Sequence, residues 1–107
     1  MKTKKVIFVN EDLECEFYRM SDSDPLKKAL VRAIEHLKED SYAGRNVKKK
    51  LIPKGFIQKY KLKNIWIYNL PNAWRMIYSL TTGGELEVIS VILDWLNHKD
   101  YERLFKF

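Results

Sequence analysis

A lysine-rich stretch in the middle of the sequence has the chemistry to bind a polyanion. Residues 45–63 contain no Asp or Glu but carry eight cationic side chains: Arg45, Lys48, Lys49, Lys50, Lys54, Lys59, Lys61 and Lys63. The whole sequence has a formal charge of +6 and a pI of about 9.4. Such a stretch favours contact with nucleic acid or an acidic protein, since phosphate binding tolerates varied placement of positive charge. The alternative interpretation is an ordinary solvated surface.

Two residues near the end of the sequence, His98 and Tyr101, have side chains that suit work on a phosphate. An imidazole with an ordinary pKa near 6.5 serves as a general acid or base, and a phenol positions a phosphate or stacks on a base. The alternatives are simpler. His98 in an Asn-His-Lys-Asp sequence is then a surface residue, and Tyr101 anchors the tail together with Leu104 and Phe105.

Several classes of protein are disfavoured by the sequence. The single cysteine, Cys15, excludes an intramolecular disulfide and a cysteine-based zinc cluster, and we expect it to be a small core residue. The two histidines lack clustered ligand spacing, and Gly83-Gly84 lacks the Lys-Ser/Thr of a phosphate loop, so we expect neither metal nor cofactor. With no apolar run of about 20 residues and no signal-peptide pattern, the prediction is a cytoplasmic protein.

The first part of the sequence predicts one strand and two helices. Residues 5–9 are apolar and β-branched, which is typical of a buried strand. Asn10 is a suitable N-cap for a short helix, and Asp24-Pro25 marks the start of a longer helix that ends near Asp40. In that second helix the apolar face is Leu26, Ala29, Leu30, Ala33, Ile34 and Leu37, and the polar face is Lys27, Lys28, Arg32, Glu35 and Lys38.

The second part predicts mainly strands. Residues 42–63 indicate one or two short helical turns, interrupted by Gly44, Pro53 and Gly55. Strands are expected at 65–70, 74–80 and 86–93, with turns at Pro71-Asn72 and at 82–84, and a closing helical turn at 97–105. The fold class is therefore α+β: an N-terminal strand and two helices followed by a mainly antiparallel three-stranded meander, with the first strand added beside it. We expect a single domain over residues 1–107.

Three segments of this sequence resemble a known family. They are Leu-Pro-Asn-Ala-Trp-Arg-Met-Ile-Tyr at 70–78, the apolar strand at 89–92, and His-Lys-Asp-Tyr at 98–101. Together they are similar to the C-terminal half of RelE/ParE superfamily toxins of type II toxin–antitoxin systems. The resemblance implies a RelE/ParE-like β-α-α-β-β-β domain and a cognate acidic antitoxin as partner. It also implies either metal-independent cleavage of mRNA on the ribosome or, as in ParE-type members, inhibition of DNA gyrase.

The resemblance assigns catalytic roles to Arg75, His98 and Tyr101, with Arg75 holding a phosphate through two hydrogen bonds. The alternative for Arg75 is an ion pair with a carboxylate such as Glu87 on a neighbouring strand. The expected RNA-binding residues are Lys48, Lys49, Lys50, Lys54, Lys59, Lys61 and Lys63.

Two features depart from the family pattern. Residues 65–68 lack the lysines that often precede the motif arginine, and Asp94-Trp95-Leu96 stands where a further basic residue is expected. These departures leave two other functions open: a non-nucleolytic toxin that inhibits a protein target, and a plain RNA-binding module. For the tryptophans, strand aromatics favour core packing over base stacking; they are Trp66, Trp74 and Trp95.

Overall fold

The computed structural model describes residues 3–105 as four helices and a five-stranded sheet. The elements in chain order are β1 (Thr3–Phe8), α1 (Glu11–Arg19), α2 (Pro25–Glu39), β2 (Arg45–Asn46), α3 (Lys54–Tyr60), β3 (Trp66–Asn69), β4 (Arg75–Gly84), β5 (Glu87–Leu96) and α4 (His98–Phe105). Short 3-10 turns occur at Lys49–Leu51 and Pro71–Ala73. The α+β class is therefore confirmed. No helix in residues 3–105 is both long enough and apolar enough to cross a membrane.

The sheet has the strand order β1-β5-β4-β3-β2. β1 pairs with β5 in parallel, and the three other pairings are antiparallel. A shift in register between β4 and β5 leaves Leu93 as an extra residue, because Ile77 pairs with Asp94 whereas Tyr78 pairs with Ile92. Since side chains alternate along a strand, the sheet has two distinct faces.

One face, which we call the α1/α2 face, is covered by two regular helices. The side chain of Asn10 accepts a hydrogen bond from the Leu13 amide at 2.9 Å, and that of Asp24 accepts one from the Leu26 amide at 2.9 Å. Both predicted N-caps are therefore confirmed. The buried residues of this core are Leu13, Phe17, Ala29, Leu30, Ala33, Leu37, Leu70, Met76, Tyr78, Ile92 and Trp95.

The opposite face, which we call the α3/α4 face, is covered by α3, α4 and the irregular chain between β2 and β3. Its buried residues are Val47, Ile52, Ile65, Ile67, Ile77, Leu93, Tyr101 and Phe105. α3 lacks a side-chain N-cap, and its C-cap Lys61 adopts the left-handed conformation. This side therefore depends more on contacts between distant segments than on helix signals in the sequence.

The predicted turn at 82–84 is wrong. β4 continues through Gly84, the reversal falls at residues 85–86, and β5 begins at Glu87. The glycines lie within the strand, where a register shift falls between Thr82 and Gly84. A Cβ on Gly83 would collide with the Glu87 carboxylate and lie 2.9 Å from Ile89 Cδ1, so this position favours glycine.

Two burial predictions are also wrong. Cys15 is exposed, because the inward face of α1 is formed by Leu13 and Phe17. Lys27, predicted on the polar face of α2, is only 6% exposed. Its Nζ lies 4.4 Å from the centroid of the Phe17 ring and 3.6 Å from Asp22 Oδ1, so a cation–π contact and a partly exposed ion pair accompany its burial.

Candidate nucleic-acid interface

Arg75 is the first residue of β4, and its side chain belongs to the α3/α4 face. It pairs with Asn69 on β3 and with Leu96 on β5. The guanidinium carbon lies 5.2 Å from the centroid of the Tyr101 ring, and Nη1 donates a hydrogen bond to the Trp74 carbonyl at 3.1 Å. The cation–π contact and the bond to the Trp74 carbonyl position the guanidinium and leave further N–H donors to bind an anion.

A second guanidinium reaches the same phenol from β2, the edge strand of the sheet. Arg45 on β2 pairs with Ile67 on β3, so it too belongs to the α3/α4 face. Its Nη2 donates to the Tyr101 hydroxyl at 3.1 Å. The sequence analysis placed Arg45 only within the basic stretch. The feature that could have distinguished Arg45 is that it is the one arginine among the lysines of residues 45–63. We call Arg45, Arg75 and Tyr101 the arginine–tyrosine site.

The arginine–tyrosine site has an excess of positive charge. Within residues 3–105, no carboxylate oxygen lies within 4.0 Å of either guanidinium. The alternative pairing of Arg75 with Glu87 is wrong, because Glu87 pairs with Gly84 at the other end of the hairpin, about 30 Å along the strand at about 3.3 Å per residue. The site can therefore accept an anion without first breaking an ion pair.

Tyr101 is buried, and its ring centroid lies 5.0 Å from that of Phe105. It therefore anchors α4, as the simpler interpretation states, and at the same time contacts both arginines. His98 is different: its side chain is exposed, and Nε2 lies 2.7 Å from Glu102 Oε1 on the same helix. The structure brings together Arg75 and Tyr101 but leaves His98 bound to a surface carboxylate.

The loop that leads into β2 is held by a buried phenol from the middle of β4. The Tyr78 hydroxyl donates to the Ser41 carbonyl at 3.0 Å and accepts from the Gly44 amide at 2.9 Å. Burial raises the pKa of Tyr78 to about 12. A Cβ on Gly44 would lie 2.7 Å from both the Tyr78 hydroxyl and the Ile67 carbonyl, so glycine permits this close approach and with it the position of Arg45.

The lysine-rich segment surrounds two clefts on the outer side of the molecule. All seven predicted RNA-binding lysines are exposed, and none is within ion-pair distance of a carboxylate in the described part of the chain. The larger cleft, about 400 Å³, is lined by Asn46, Val47, Lys48, Lys49, Ile52, Lys63 and Asn64. The smaller cleft, about 300 Å³, shares Lys63 and adds Lys61. Lys50, Lys54 and Lys59 lie on the 3-10 turn and α3.

The strands that flank Arg75 do not add cations. On β3, Ile67 is buried in the α3/α4 face, while the Tyr68 hydroxyl lies 2.7 Å from His36 Nδ1 on α2. On β5, Asp94 pairs with Ile77; burial raises the pKa of its carboxyl group, although the Trp95 amide, which it binds at 2.9 Å, opposes this shift. Neither β3 nor β5 therefore supplies the basic residues that the family pattern places near the motif arginine.

The three tryptophans pack against the core of the α1/α2 face. Trp95 is buried there, and Trp66 and Trp74 are partly buried against the same cluster. Within the range 3–105, no group of three or more His, Cys, Asp or Glu residues is arranged to hold a metal ion.

Comparison of the chain with protein-family models, with curated proteins and with solved structures found no match. Its function must therefore be inferred from its own residues.

Proposed function

We propose that this chain is the toxin of a type II toxin–antitoxin pair, of the RelE/ParE type, and that it cleaves mRNA on the ribosome without a metal ion. The observation that carries the proposal is the position of Arg75 over the Tyr101 ring, with Arg45 bound to the same phenol. Two guanidiniums with no carboxylate partner among residues 3–105 suit a phosphate group, and the exposed lysines of residues 45–63 extend the positive surface along an RNA chain.

The order of elements supports the same proposal. A strand and two helices precede the hairpin, and β1 lies in parallel beside the last strand. In the proposed RelE/ParE-like β-α-α-β-β-β arrangement, β2 and α3 are additions between the second helix and the meander. They would serve to carry Arg45 and the lysines.

In the proposed reaction, the 2′-hydroxyl of the RNA gives its proton to water, and its oxygen attacks the neighbouring phosphorus. The bond to the 5′-oxygen breaks, which leaves a 2′,3′-cyclic phosphate and a 5′-hydroxyl. Arg75 and Arg45 stabilise the negative charge that develops on the phosphate oxygens, and Tyr101 keeps the two guanidiniums in place. His98 is the candidate that protonates the leaving oxygen. To do so, its imidazole must leave Glu102, to which it is bound in this structure.

The proposed partner is an acidic antitoxin that is partly disordered alone and folds over the basic surface, covering Arg75. Pairing of its carboxylates with the lysines and Arg75 would exclude the RNA phosphates from the same positions. The proposed location of both proteins is the cytoplasm.

The test is cleavage of mRNA on programmed ribosomes by the purified chain. We expect Arg75→Ala to lower the cleavage rate by about 10²–10³-fold, the loss typical of removing one donor that stabilises transition-state charge. Arg32→Ala, on the exposed side of α2, is the matched control and should cleave at the wild-type rate. Cleavage that survives Arg75→Ala unchanged would refute the assignment.

A second function is favoured by one observation: His98 is engaged by Glu102 and no lysine lies on β3, so general acid–base catalysis is poorly supplied. In this alternative the chain is a non-nucleolytic toxin that inhibits a protein target such as DNA gyrase. Intact mRNA in the ribosome assay, together with inhibited supercoiling by gyrase, would establish this alternative and reject the nuclease.

A further inference from the structure

The outer edge of β4 is only partly covered. β3 pairs with β4 from Arg75 to Tyr78, but β4 continues to Gly84. Next to β3, the side chain of Asn64 accepts from the Leu80 amide at 2.8 Å and donates to the Leu80 carbonyl at 2.9 Å, as a paired strand residue would. Among residues 3–105, no strand pairs with the outer edge at 81–84.

The backbone of Thr82 presents hydrogen-bonding groups at this open edge. Both polar groups of Leu80 point outward to Asn64, and strand backbone groups alternate in direction, so the N–H and C=O of Thr82 also point outward. An edge of this kind is a template for a further strand.

Beside the open edge lies the smaller of the two basic clefts, which we call the edge cleft. It is lined by Val9, Tyr60, Lys61, Leu62, Lys63, Ser79, Leu80, Thr81 and Val91. Its lining mixes apolar and polar side chains, and Lys61 and Lys63 are exposed and have no carboxylate within 4.0 Å in the described part of the chain. A strand paired with Thr82 would direct alternate side chains toward this cleft.

We propose that the β4 edge at Thr81 and Thr82, which precedes the register shift at Gly83, binds an extended, acidic segment of the partner protein as a sixth strand. This inference rests on the proposed function, because it locates the antitoxin's contact on the toxin. Backbone hydrogen bonds to Thr82 provide the pairing, apolar side chains fill the edge cleft, and carboxylates meet Lys61 and Lys63. Glu85 and Glu87, at the turn between β4 and β5, repel other carboxylates. The carboxylates of the partner segment therefore belong at its end near Lys61, away from this turn.

Two other occupants fit the open edge less well than an acidic strand. A second copy of the chain, paired edge to edge, would bring its own Lys61 and Lys63 toward those of the first copy, and the net charge of +6 adds to the repulsion. Nucleic acid suits the lysines, but a neighbouring strand presents an N–H and a C=O at the spacing of the Thr82 backbone groups, whereas a sugar–phosphate chain does not repeat that pairing.

The experiment follows the backbone amide signals of the isotope-labelled full chain by NMR as a short synthetic peptide is added, in which valine and glutamate stand two residues apart so that both point to the same face of a strand. We expect the signals of Thr82 and its neighbours to shift, and the Thr82 amide to become protected from hydrogen exchange. The same peptide with lysine in place of glutamate is the charge control and should give no shift. Unchanged Thr82 signals, or equal shifts with both peptides, would overturn the inference.

Variants of the chain separate pairing from charge. Thr82→Pro removes an outward N–H, which edge strands tolerate, so the chain should fold and lose the peptide. Lys61→Glu with Lys63→Glu should weaken binding by about tenfold or more, since opposed charges become like charges. The matched control is Lys5→Glu with Lys28→Glu, at exposed positions outside the edge cleft. Peptide affinity unchanged in both the Thr82 and lysine variants would reject the site.

The outcome is independent of the cleavage test. Arg75-dependent cleavage with no peptide at Thr82 would refute this inference alone. Peptide binding at Thr82 with mRNA and gyrase both unaffected would support the edge site and refute the proposed toxin function.

Discussion

The two faces of the sheet are stabilised by different kinds of contact. On the α1/α2 face, two capped helices bury a regular apolar stripe against the sheet. On the α3/α4 face, a smaller buried core is accompanied by isolated polar contacts between distant segments, such as Arg45 to Tyr101. Most of the charged side chains on the α3/α4 face are exposed. We infer that one side supplies most of the stability, which allows the other to carry uncompensated positive charge.

The largest expected effect breaks the α1/α2 face. Leu30 is 1% exposed in the middle of α2, so Leu30→Ala should lower the free energy of unfolding by about 2–5 kcal/mol. Ile57→Ala on α3, where the side chain is 40% exposed, is the contrasting control and should cost about 1 kcal/mol or less. Urea denaturation measures both. Equal losses would show that the two faces do not differ in this way.

A smaller effect on stability is expected at Gly44, in the loop that leads into β2. Gly44→Ala places a Cβ 2.7 Å from the rigid Ile67 carbonyl and should cost about 1–3 kcal/mol through overpacking. Gly55→Ala in α3 is the matched control, because nothing lies within 4 Å of the added Cβ and alanine favours a helix by up to about 1 kcal/mol. Thermal unfolding of the two variants gives the comparison. A tolerated Gly44→Ala would mean that the loop before Arg45 is free to move.

The buried phenol of Tyr78 makes the stability of the folded chain depend on pH. Its pKa is about 12 in the folded chain, against an ordinary value of about 10, so folding favours the protonated phenol. This contribution is complete below pH 10 and is lost as the pH rises toward 12. Tyr78→Phe should cost about 1–3 kcal/mol at neutral pH, since the Gly44 amide and Ser41 carbonyl lose their partner.

Unfolding measured from pH 9 to 12 tests the Tyr78 prediction. The wild-type chain should lose stability more steeply over this range than Tyr78→Phe does. Parallel curves would show that Tyr78 does not govern the alkaline limit.

The smallest effect on stability is expected for the lysines. Removing Lys48 and Lys49 together by alanine substitution should change the free energy of unfolding by no more than about 0.5 kcal/mol. The same change should reduce the slope of log affinity for single-stranded RNA against log salt by about 0.7 for each phosphate that is no longer neutralised. Lys28→Ala with Arg32→Ala, on α2, should alter neither quantity. An unchanged slope in the Lys48 and Lys49 variant would remove the lysines from the interface.

The α1/α2 face could be predicted from sequence because its signals are local. Asn10 and Asp24 act within three residues of themselves, and the apolar spacing of α2 repeats along a single helix. Lys27 is the exception, since its burial depends on Phe17 from another helix. Local propensity has no information about such a partner.

The α3/α4 face could be predicted only in part. The resemblance singled out Arg75 and Tyr101, which the fold does bring into contact, but Arg45 meets Tyr101 across 56 residues of sequence. Its position depends on the register of β2 on β3 and on the contact of Tyr78 with Gly44. The exposed pair of His98 and Glu102 was not predicted either, although residues spaced i,i+4 on a helix can pair.

The parallel pairing of β1 with β5 has a consequence for synthesis of the protein. Within residues 3–105, β1 pairs with β5 alone, so it acquires its strand partner when residues 87–92 have left the ribosome, long after β1 itself has been made. Contacts of such high sequence separation form late and slow folding. A nascent chain of this kind cannot complete its sheet until residue 92 has been released, which delays the appearance of any activity that depends on the complete sheet.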